Sequence, residues 1–570
     1  MVSSAEAEAT APNIADTDAT LPTKEMEGSN ASNKPGSDEG VSTEDANDAS
    51  QGWVMDTSDF PGPKALFLIM VGLFLALFTN NLDATIIATA IPYITNEFNT
   101  IQDVGWYVSA TFLTFASFQS TWGKAYKYFP IKATFLISLF VFELGSLICA
   151  VAPTSTALIV GRAIAGLGAA GVSSGVFIII AFSAPPKHVP AYMGIAGATY
   201  AIAALIGPLL GGAFTQRATW RWCFWINLPI GLVTAVIIFF VYHTPKAAAP
   251  QPATWKEKLL QMDLNGTVLI LGAVICFILA FQWGGTLLPW SDSRVIGTLV
   301  GFVLISIVFV VNEWWMGDRA LLEPRIMKSR RIWANCGHVF FVSGGFFVLI
   351  YYLPLYFQSV QGVSPIESGV RNLPIIIGCL FSILAGFVVM AVSRSWAPLM
   401  AIGAAVGTVG SGLLYTLNVS SPSRAWIGYQ ALAGIGTGIT TQIPLMANQA
   451  AVSPADISSI SAITLFFQII GGSFSVSAAQ AAFSVVLVEK APIYVPGVDP
   501  VSLIQMGATQ LRDVFSAEQL PGVVHAYMDG LKAAFAFATA LVGVSFIFAL
   551  IPKWDDLRPP PPTTDQEQTA

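Results

Sequence analysis

The chain of 570 residues is 54% hydrophobic and only 11% charged, with a formal net charge of −7 and a mean hydropathy of +0.65. Soluble domains carry about 25% charged residues and need a wetted, polar surface. So little charge excludes a soluble globular protein and points to an integral membrane protein.

The N-terminal segment differs from the body. Residues 1–59 hold 13 acidic residues against two basic ones, Lys24 and Lys34, so the segment nets −11 and leaves the rest of the chain at +4. It is rich in Ala, Ser and Thr and nearly free of aromatics, too polar to bury the apolar area that offsets chain entropy. Residues 1–60 therefore read as a disordered acidic tail. No basic stretch leads into an apolar core there, so it is not a cleaved signal peptide. The C-terminal segment 553–570, with its run of prolines, reads as a second short tail.

A spanning helix needs roughly 20 mostly apolar residues. Fourteen stretches qualify, near 65–91, 104–123, 133–152, 156–182, 190–214, 222–243, 263–283, 295–314, 334–357, 366–391, 397–417, 425–450, 457–487 and 530–551. An even count puts both termini on one side. With the termini inside, the inner loops and flanks carry 16 Lys and Arg residues against seven outside, which favours that orientation. The tripeptide "NVS" at Asn418 then falls in an outer loop, as an N-glycosylation acceptor requires. The longest loop, 488–529, also lies outside and reads as a cover over the outer mouth, with a polar helix around 500–518. The cysteines (Cys149, Cys223, Cys276, Cys336, Cys379) sit in or at apolar segments without CxxC or metal-type spacing, and read as free thiols.

Charges at bilayer depth are costly and persist where they pair or face a cavity. Away from the very ends of the expected spans they are few: Asp83, Glu143, Arg162 and, near a helix start, Arg371. At about 1.5 Å per residue, Asp83 lies about 12 Å from the outer end of span 1, Arg162 about 9 Å into span 4 and Glu143 about 13 Å from the outer end of span 3. Similar depth on three early helices implies one shared polar cluster. A carboxylate there is pushed toward the neutral form by burial and toward the charged form by a nearby Arg, the situation of a proton carrier. Asp83 is the first candidate, because Asn80, Asn81 and Thr85 surround it; Glu143 is the second. The competing reading is a buried ion pair that only fixes helix packing.

Spans 4 and 5 place small residues four apart, as at Gly171/Gly175 and Gly207/Gly211, which allows close backbone approach. Pro208 bends span 5. Together "LDATIIATAIP" (82–92), "LIVGRAIAGLGAAG" (158–171), "GATYAIAALIGPLLGG" (197–212) and "WRWCFWINLPIG" (220–231) resemble successive signatures of the major facilitator superfamily, in its fourteen-span drug:proton antiporter branch. Later stretches, among them "GIGTGITTQIPLMANQA" and "LFFQIIGG", fit as well, so the similarity covers about residues 64–552. The resemblance implies an all-α integral membrane fold. It has two six-helix bundles (64–243 and 333–552), two extra spans with their linkers (244–332), and alternating access around a midplane cavity. It implies proton-coupling roles for Asp83 and Arg162, and a conformational role in span 5 for Gly207, Pro208, Gly211 and Gly212. One stretch departs. The loop after span 2 usually reads GxLaDrxGrk, but here it is "GKAYKYFPIK" (123–132), with Lys127 where Asp is expected and Pro130 where the second Gly is. The usual charge relay therefore cannot be carried over. This variant resembles fungal toxin and secondary-metabolite efflux pumps of the aflatoxin or HC-toxin exporter type.

Aromatics crowd spans 2 and 9, and those facing a cavity suit flat, apolar molecules. Trp106, Tyr107, Gln442, Asn448 and Gln468 are the candidate cavity residues. No phosphate-cradling GxxxxGK[ST] occurs and the four histidines are widely separated, so neither ATP, another cofactor nor a metal is expected; the proton gradient is the driving force. The expected partners are a hydrophobic small-molecule cargo, protons and the lipid bilayer. Nucleic acid is not expected, and the chain reads as a monomer in the plasma membrane, with a vacuolar or vesicle membrane as the other setting. The alternatives to efflux are proton-coupled uptake of a small molecule such as a siderophore, and a non-transporting receptor. Tags placed at positions 30 and 560 should be reachable only from the cytoplasm and one at 510 only from outside. Finding 30 and 510 on the same side overturns the fourteen-span arrangement.

Overall fold

The computed structural model describes residues 60–98, 103–285, 288–393, 396–500, 503 and 511–552. The acidic segment 1–59, the end 553–570 and residues 501–502 and 504–510 of the helix expected around 500–518 lie outside them. Among the described residues the chain is helical apart from turns, linkers and one isolated bridge between Gly284 and Leu288. Helices satisfy every backbone group within the segment, which hydrocarbon demands.

The first part comprises α1 (Pro63–Phe98), α2 (Val104–Tyr128), α3 (Ile131–Ala150), α4 (Ser155–Ser183), α5 (Val189–Arg217), and a sixth span broken into α6 (Trp222–Trp225) and α7 (Asn227–Val241). A short helix α8 (Trp255–Leu260) leads into the pair α9 (Leu264–Trp283) and α10 (Ser293–Met316), and α11 (Pro324–Met327) lies in the linker after them. The last part comprises α12 (Arg330–Leu355), α13 (Pro365–Arg371), α14 (Leu373–Ser393), α15 (Ala397–Tyr415), α16 (Ser423–Thr441), α17 (Ile443–Gln449), α18 (Ile457–Tyr494), α19 (Leu511–Val514) and α20 (Leu520–Leu550). Caps mark several starts: Thr154 Oγ1 accepts the Ala157 amide at 3.2 Å, and Ser364 Oγ accepts that of Glu367 at 3.2 Å.

Among the described residues, eleven helices are long and apolar enough to cross a membrane. The other three expected positions are occupied by α2, α14 and α16. The first ends in a polar, lysine-bearing turn and the last is rich in Gly and Thr. In α14 the described apolar run is short, Leu373–Gly386.

In the first part α1 packs on α5 and α7, and α4 packs on α3 and α2. In the last part α12 packs on α18 and α20, and α16 packs on α14 and α15. The two groups meet where α2 lies along α18 and α5 along α14. Glycines permit the tightest of these approaches: Gly168 of α4 lies against the Phe142 backbone of α3, and Gly145 of α3 against Ala165. The pair α9–α10 touches α2 and α18 through α9, while α10 turns Val303, Leu304, Ile307, Val308 and Val311 outward. Trp314 and Trp315 are exposed at its end, where interfacial tryptophans anchor spans.

Two expected boundaries move. The loop 488–529 is shorter, because α18 continues to Tyr494 and α20 begins at Leu520. Leu487, Ala491, Val523, Val524 and Tyr527 are buried between these extensions, and the Tyr494 hydroxyl donates to Asp529 at 2.9 Å. The twelfth expected span breaks at Gln442, between α16 and α17.

The close approach of α3 and α4 yields a direct test. Gly168→Leu forces a side chain into the Phe142 backbone, and overpacking of this kind costs about 1–3 kcal/mol or more. Expression of folded, detergent-stable protein should fall sharply. Gly212→Ala, whose β-carbon meets nothing within 4 Å, should be silent in the same assay.

Candidate functional site

α1 runs through the centre of the first helix group and presents different chemistry on its two faces. On one face Asp83, 1% exposed, meets Arg162 of α4, also 1% exposed, with Arg162 Nη1 donating to Asp83 Oδ2 at 2.6 Å. Arg162 Nε donates to the Tyr107 carbonyl at 2.9 Å, and the guanidinium lies over the Phe224 ring at 5.6 Å. Asn227, at the start of α7, donates through Nδ2 to Asp83 Oδ1 at 3.2 Å and to Ser146 Oγ at 3.1 Å. Glu143, on the next turn of α3, has its carboxyl against Gly231 of α7, and neither of its oxygens has a hydrogen-bond partner among the described residues. The expected cluster therefore exists, as an ion pair with a second, unpaired acid nearby.

The other face of α1 lines a cavity of about 1080 Å³ between the two helix groups. Asn80, Asn81, Ala84 and Thr85 contribute from α1; Asp83, between them, points away and does not line it. The walls are aromatic and apolar: Phe112 and Phe115 from α2, Tyr200 from α5, and Phe346, Phe347 and Tyr351 from α12. Tyr200 packs edge-on to Phe347, with ring centroids 5.7 Å apart. Gln442 and Gln468 add polar groups, and Arg217, at one end, is the only Lys, Arg, Asp or Glu among the described lining residues.

Charges close the opposite end. Lys124 at the end of α2 donates to Glu323 Oε1 at 2.8 Å and to the Asp318 carbonyl at 2.7 Å. Lys127 lies 3.1 Å from Glu323 Oε1 and 2.9 Å from Asp456 Oδ1, at the foot of α18. Arg325 joins both acids, and Ser459 of α18 donates to Glu323 at 2.9 Å. Beside them Gly123 of α2 touches Ala462 of α18. Burial pushes the Glu323 carboxyl up, but Lys124 and Lys127 outweigh it and hold the group below its ordinary range. Asp456 is likewise raised by burial and brought below its usual value by Arg325 and Lys127. Both acids thus stay charged until the pH falls below the ordinary carboxylate range. This latch ties three segments: the end of α2, the linker 317–329, and the start of α18. Its lysines occupy the loop that departs from the family pattern, and the acids come from elsewhere in the chain.

Of the other residues singled out from the sequence, Gln442, Gln468, Pro208 and Gly212 line the cavity. Gly207 and Gly211 instead hold α5 against Thr85, Thr89 and Ile86 of α1. Trp106, Tyr107 and Asn448 lie off the cavity lining. The buried Tyr107 hydroxyl pairs with Ser155 at 2.9 Å, and Asn448 is spent on Asn335 at 2.8 Å and Thr464 at 3.0 Å. Asn418 is exposed, with Nδ2 donating to the Thr416 carbonyl at 3.0 Å and Oδ1 accepting from Lys532 at 2.8 Å. Sequence reasoning missed Asn227, Glu323 and Asp456. The Asn inside the apolar "CFWINLPIG" and the acids of "LLEPR" and "SPADI" were the available signals.

A helical assembly with a central cavity between two helix groups, closed at one end by ion pairs, is the architecture of a multi-pass carrier of small molecules. The chain belongs to the major facilitator superfamily, whose family model matches residues 73–476. An MFS-type transporter, grgE, from a Penicillium species is 48% identical over 500 residues, covering 88% of each chain. A probable efflux pump, gsfJ, from Penicillium aethiopicum is 48% identical over 501 residues, covering 88% of this chain and 89% of its own. The solved proton:xylose symporter XylE, bound to 6-bromo-6-deoxy-D-glucose, superposes with a TM-score of 0.57 at 13% identity, over 87% of this chain and 98% of that one, a likeness of fold. The protein is a membrane transporter and not an enzyme.

The latch can be tested by unpairing it. Glu323→Gln leaves Lys124 buried without its carboxylate, and removing one partner of a buried pair costs about 3 kcal/mol or more, ~100-fold in the closed-to-open ratio. In a background lacking the native cysteines, Ala462→Cys should react with a polar thiol reagent far faster once Glu323→Gln is added. An unchanged rate means that the ion pairs do not hold this end shut.

Proposed function

We propose that the protein exports hydrophobic small molecules in exchange for protons, by alternating access. In this reading α2, α14 and α16 cross the membrane with the other eleven helices, residues 64–243 and 333–552 act as the two rocking bundles, and both termini are cytoplasmic. The latch then closes the cytoplasmic side, the Arg217 end faces out, and Asn418 is accessible to glycosylation. The plasma membrane is the favoured location and a monomer the working unit.

The observation that supports this best is the two-faced α1. One helix bears cavity-lining Asn80, Asn81, Ala84 and Thr85 on one face and the buried Asp83–Arg162 pair on the other. Movement of α1 with the bundles changes the surroundings of Asp83 without bringing cargo into contact with it. The pair is costly where it stands unless the geometry is good, and its energetic balance is sensitive to small displacements. Gly207 and Gly211 seat α5 directly on α1, so that a shift in one helix moves the other. The aromatic walls and the scarcity of charge suit an apolar, uncharged cargo. Two similar proteins named as efflux pumps, gsfJ from Penicillium aethiopicum and aunC from Aspergillus niger, support outward transport.

Reconstituted vesicles with only a proton gradient provide the test. Asp83→Asn keeps size and polarity but cannot ionise; it should insert and still bind cargo, with transport driven by the gradient lost. Arg162→Ala removes the cation that pairs with Asp83 and should likewise weaken gradient-driven transport. Accumulation of cargo by Asp83→Asn vesicles under a proton gradient alone would make Asp83 structural, leaving Glu143 as the next residue to replace.

A further inference from the structure

A second pair of buried acids lies on the two helices that stand outside the bundles. Asp263 precedes α9 and caps it, its Oδ1 accepting the Gly266 amide at 2.9 Å, and Glu313 lies in the last turn of α10. They are 2% and 6% exposed. Both carboxyl groups crowd Gly266, where a β-carbon would run into Asp263 Oδ2 and stand 3.0 Å from Glu313 Oε1. Asn312 Nδ2 approaches Asp263 at 3.3 Å, and Glu313 Oε2 accepts the Leu322 amide at 2.7 Å. Among the described residues no donor reaches Glu313 Oε1, which shares the space over Gly266 with the other acid.

The charged groups on the packed elements do not neutralise the pair. From α2, Lys124 is near enough for its charge to act on Glu313, but its ammonium is bonded to Glu323 and to the Asp318 carbonyl. Thr121 of α2 meets Thr267 of α9 at 2.7 Å, a neutral contact. At the foot of α18, Asp456 is held by Lys127 and Arg325, and Glu257 of α8 is held by Arg319. Two ionised carboxylates this close in a low-dielectric place repel strongly, and a shared proton or a cation between them relieves that repulsion.

We propose that Asp263 and Glu313 share a single proton, one carboxyl donating O–H to the other's carboxylate oxygen, and that this proton sets the closure of the latch. The connection is one residue long. Glu313 holds the amide of Leu322, and the next residue is Glu323, the acid that binds Lys124 and Lys127. With the proton in place the ends of α9 and α10 stay together and Glu323 is presented to the lysines. When the proton leaves to water, both carboxylates are charged, the two helix ends separate, and the linker withdraws Glu323. Rising pH on the latch side therefore opens that side. In the orientation proposed above this is the cytoplasm, and the extra helix pair becomes the element that senses it.

Infrared difference spectra of the full chain in lipid vesicles, titrated in sodium-free and potassium-free buffer, read the proton directly. At neutral pH the protonated-carboxyl band should lose the equivalent of one group in Glu313→Gln and in Asp263→Asn. The thiol reactivity of Ala462→Cys, divided at each pH by that of a freely exposed cysteine to remove the thiolate's own pH dependence, should rise with pH when the pair is intact and become flat in the double variant Asp263→Asn/Glu313→Gln, whose paired amides preserve the contact and report on folding. A band unchanged by either single substitution overturns the proposal. So does a band that appears only when sodium and potassium are withdrawn, since an alkali cation then occupies the site. Neither readout needs transport, so the outcome is separable from whether the protein exchanges protons for cargo.

Discussion

An ionised group inside a membrane protein stands only where something of opposite charge meets it, and here that constraint decides which helices must touch. Asp83 draws α4 to α1 through Arg162, and Asn227 then fixes the start of α7 against both. The glycines of α3 and α4 are the counterpart in shape: Gly145 and Gly168 let these two helices pack backbone to backbone. Breaking such a pair by removing one member leaves an uncompensated buried charge, which is far costlier than never having built it. The cavity is thus walled by a helix whose far side is tied to α4 and α7.

The same constraint explains the division of α1 into two faces. At 3.6 residues per turn, Asp83 is rotated by about 100° or more from Asn81, Ala84 and Thr85, with Asn80 at the border between the two faces. Cavity wall and ionisable pair are neighbours in sequence and separate in space. A carboxylate in the cavity wall would attract cations and repel anions; behind the wall it leaves the cavity's own selectivity to aromatic surface and amide groups.

Much of this was legible in the sequence. Long apolar runs give the helices, because hydrocarbon leaves the backbone no other arrangement. Three charges at similar depth on three helices gave the cluster of Asp83, Arg162 and Glu143. Which polar residues face the cavity was not legible. Tyr107 and Asn448 have the same composition signals as Gln442 and Gln468, and only the rotation of each helix separates buried structural partners from lining groups. The short outer loop was hidden for a related reason: the ends of α18 and α20 are too polar to register as spans, yet they pack on each other. The latch was hidden because its parts are far apart. Lys124 and Lys127 precede Glu323 by nearly two hundred residues and Asp456 by over three hundred. What the loop "GKAYKYFPIK" did reveal was a departure from the family pattern, and the structure shows where the missing negative charge went.

The reversed polarity of that latch has a consequence for how the chain can change over time. Placing the usual acid-bearing loop into residues 123–132 would set a carboxylate in place of Lys127, facing Glu323 and Asp456, three like charges in one buried pocket. A chain with these lysines in the loop needs the linker 317–329 and the foot of α18 to supply the acids. Any recombination that exchanges one helix group with a relative of ordinary polarity joins two halves that repel at their seam. The signs of a few side chains thus act as a compatibility code between parts of the molecule, limiting which relatives can lend it a domain.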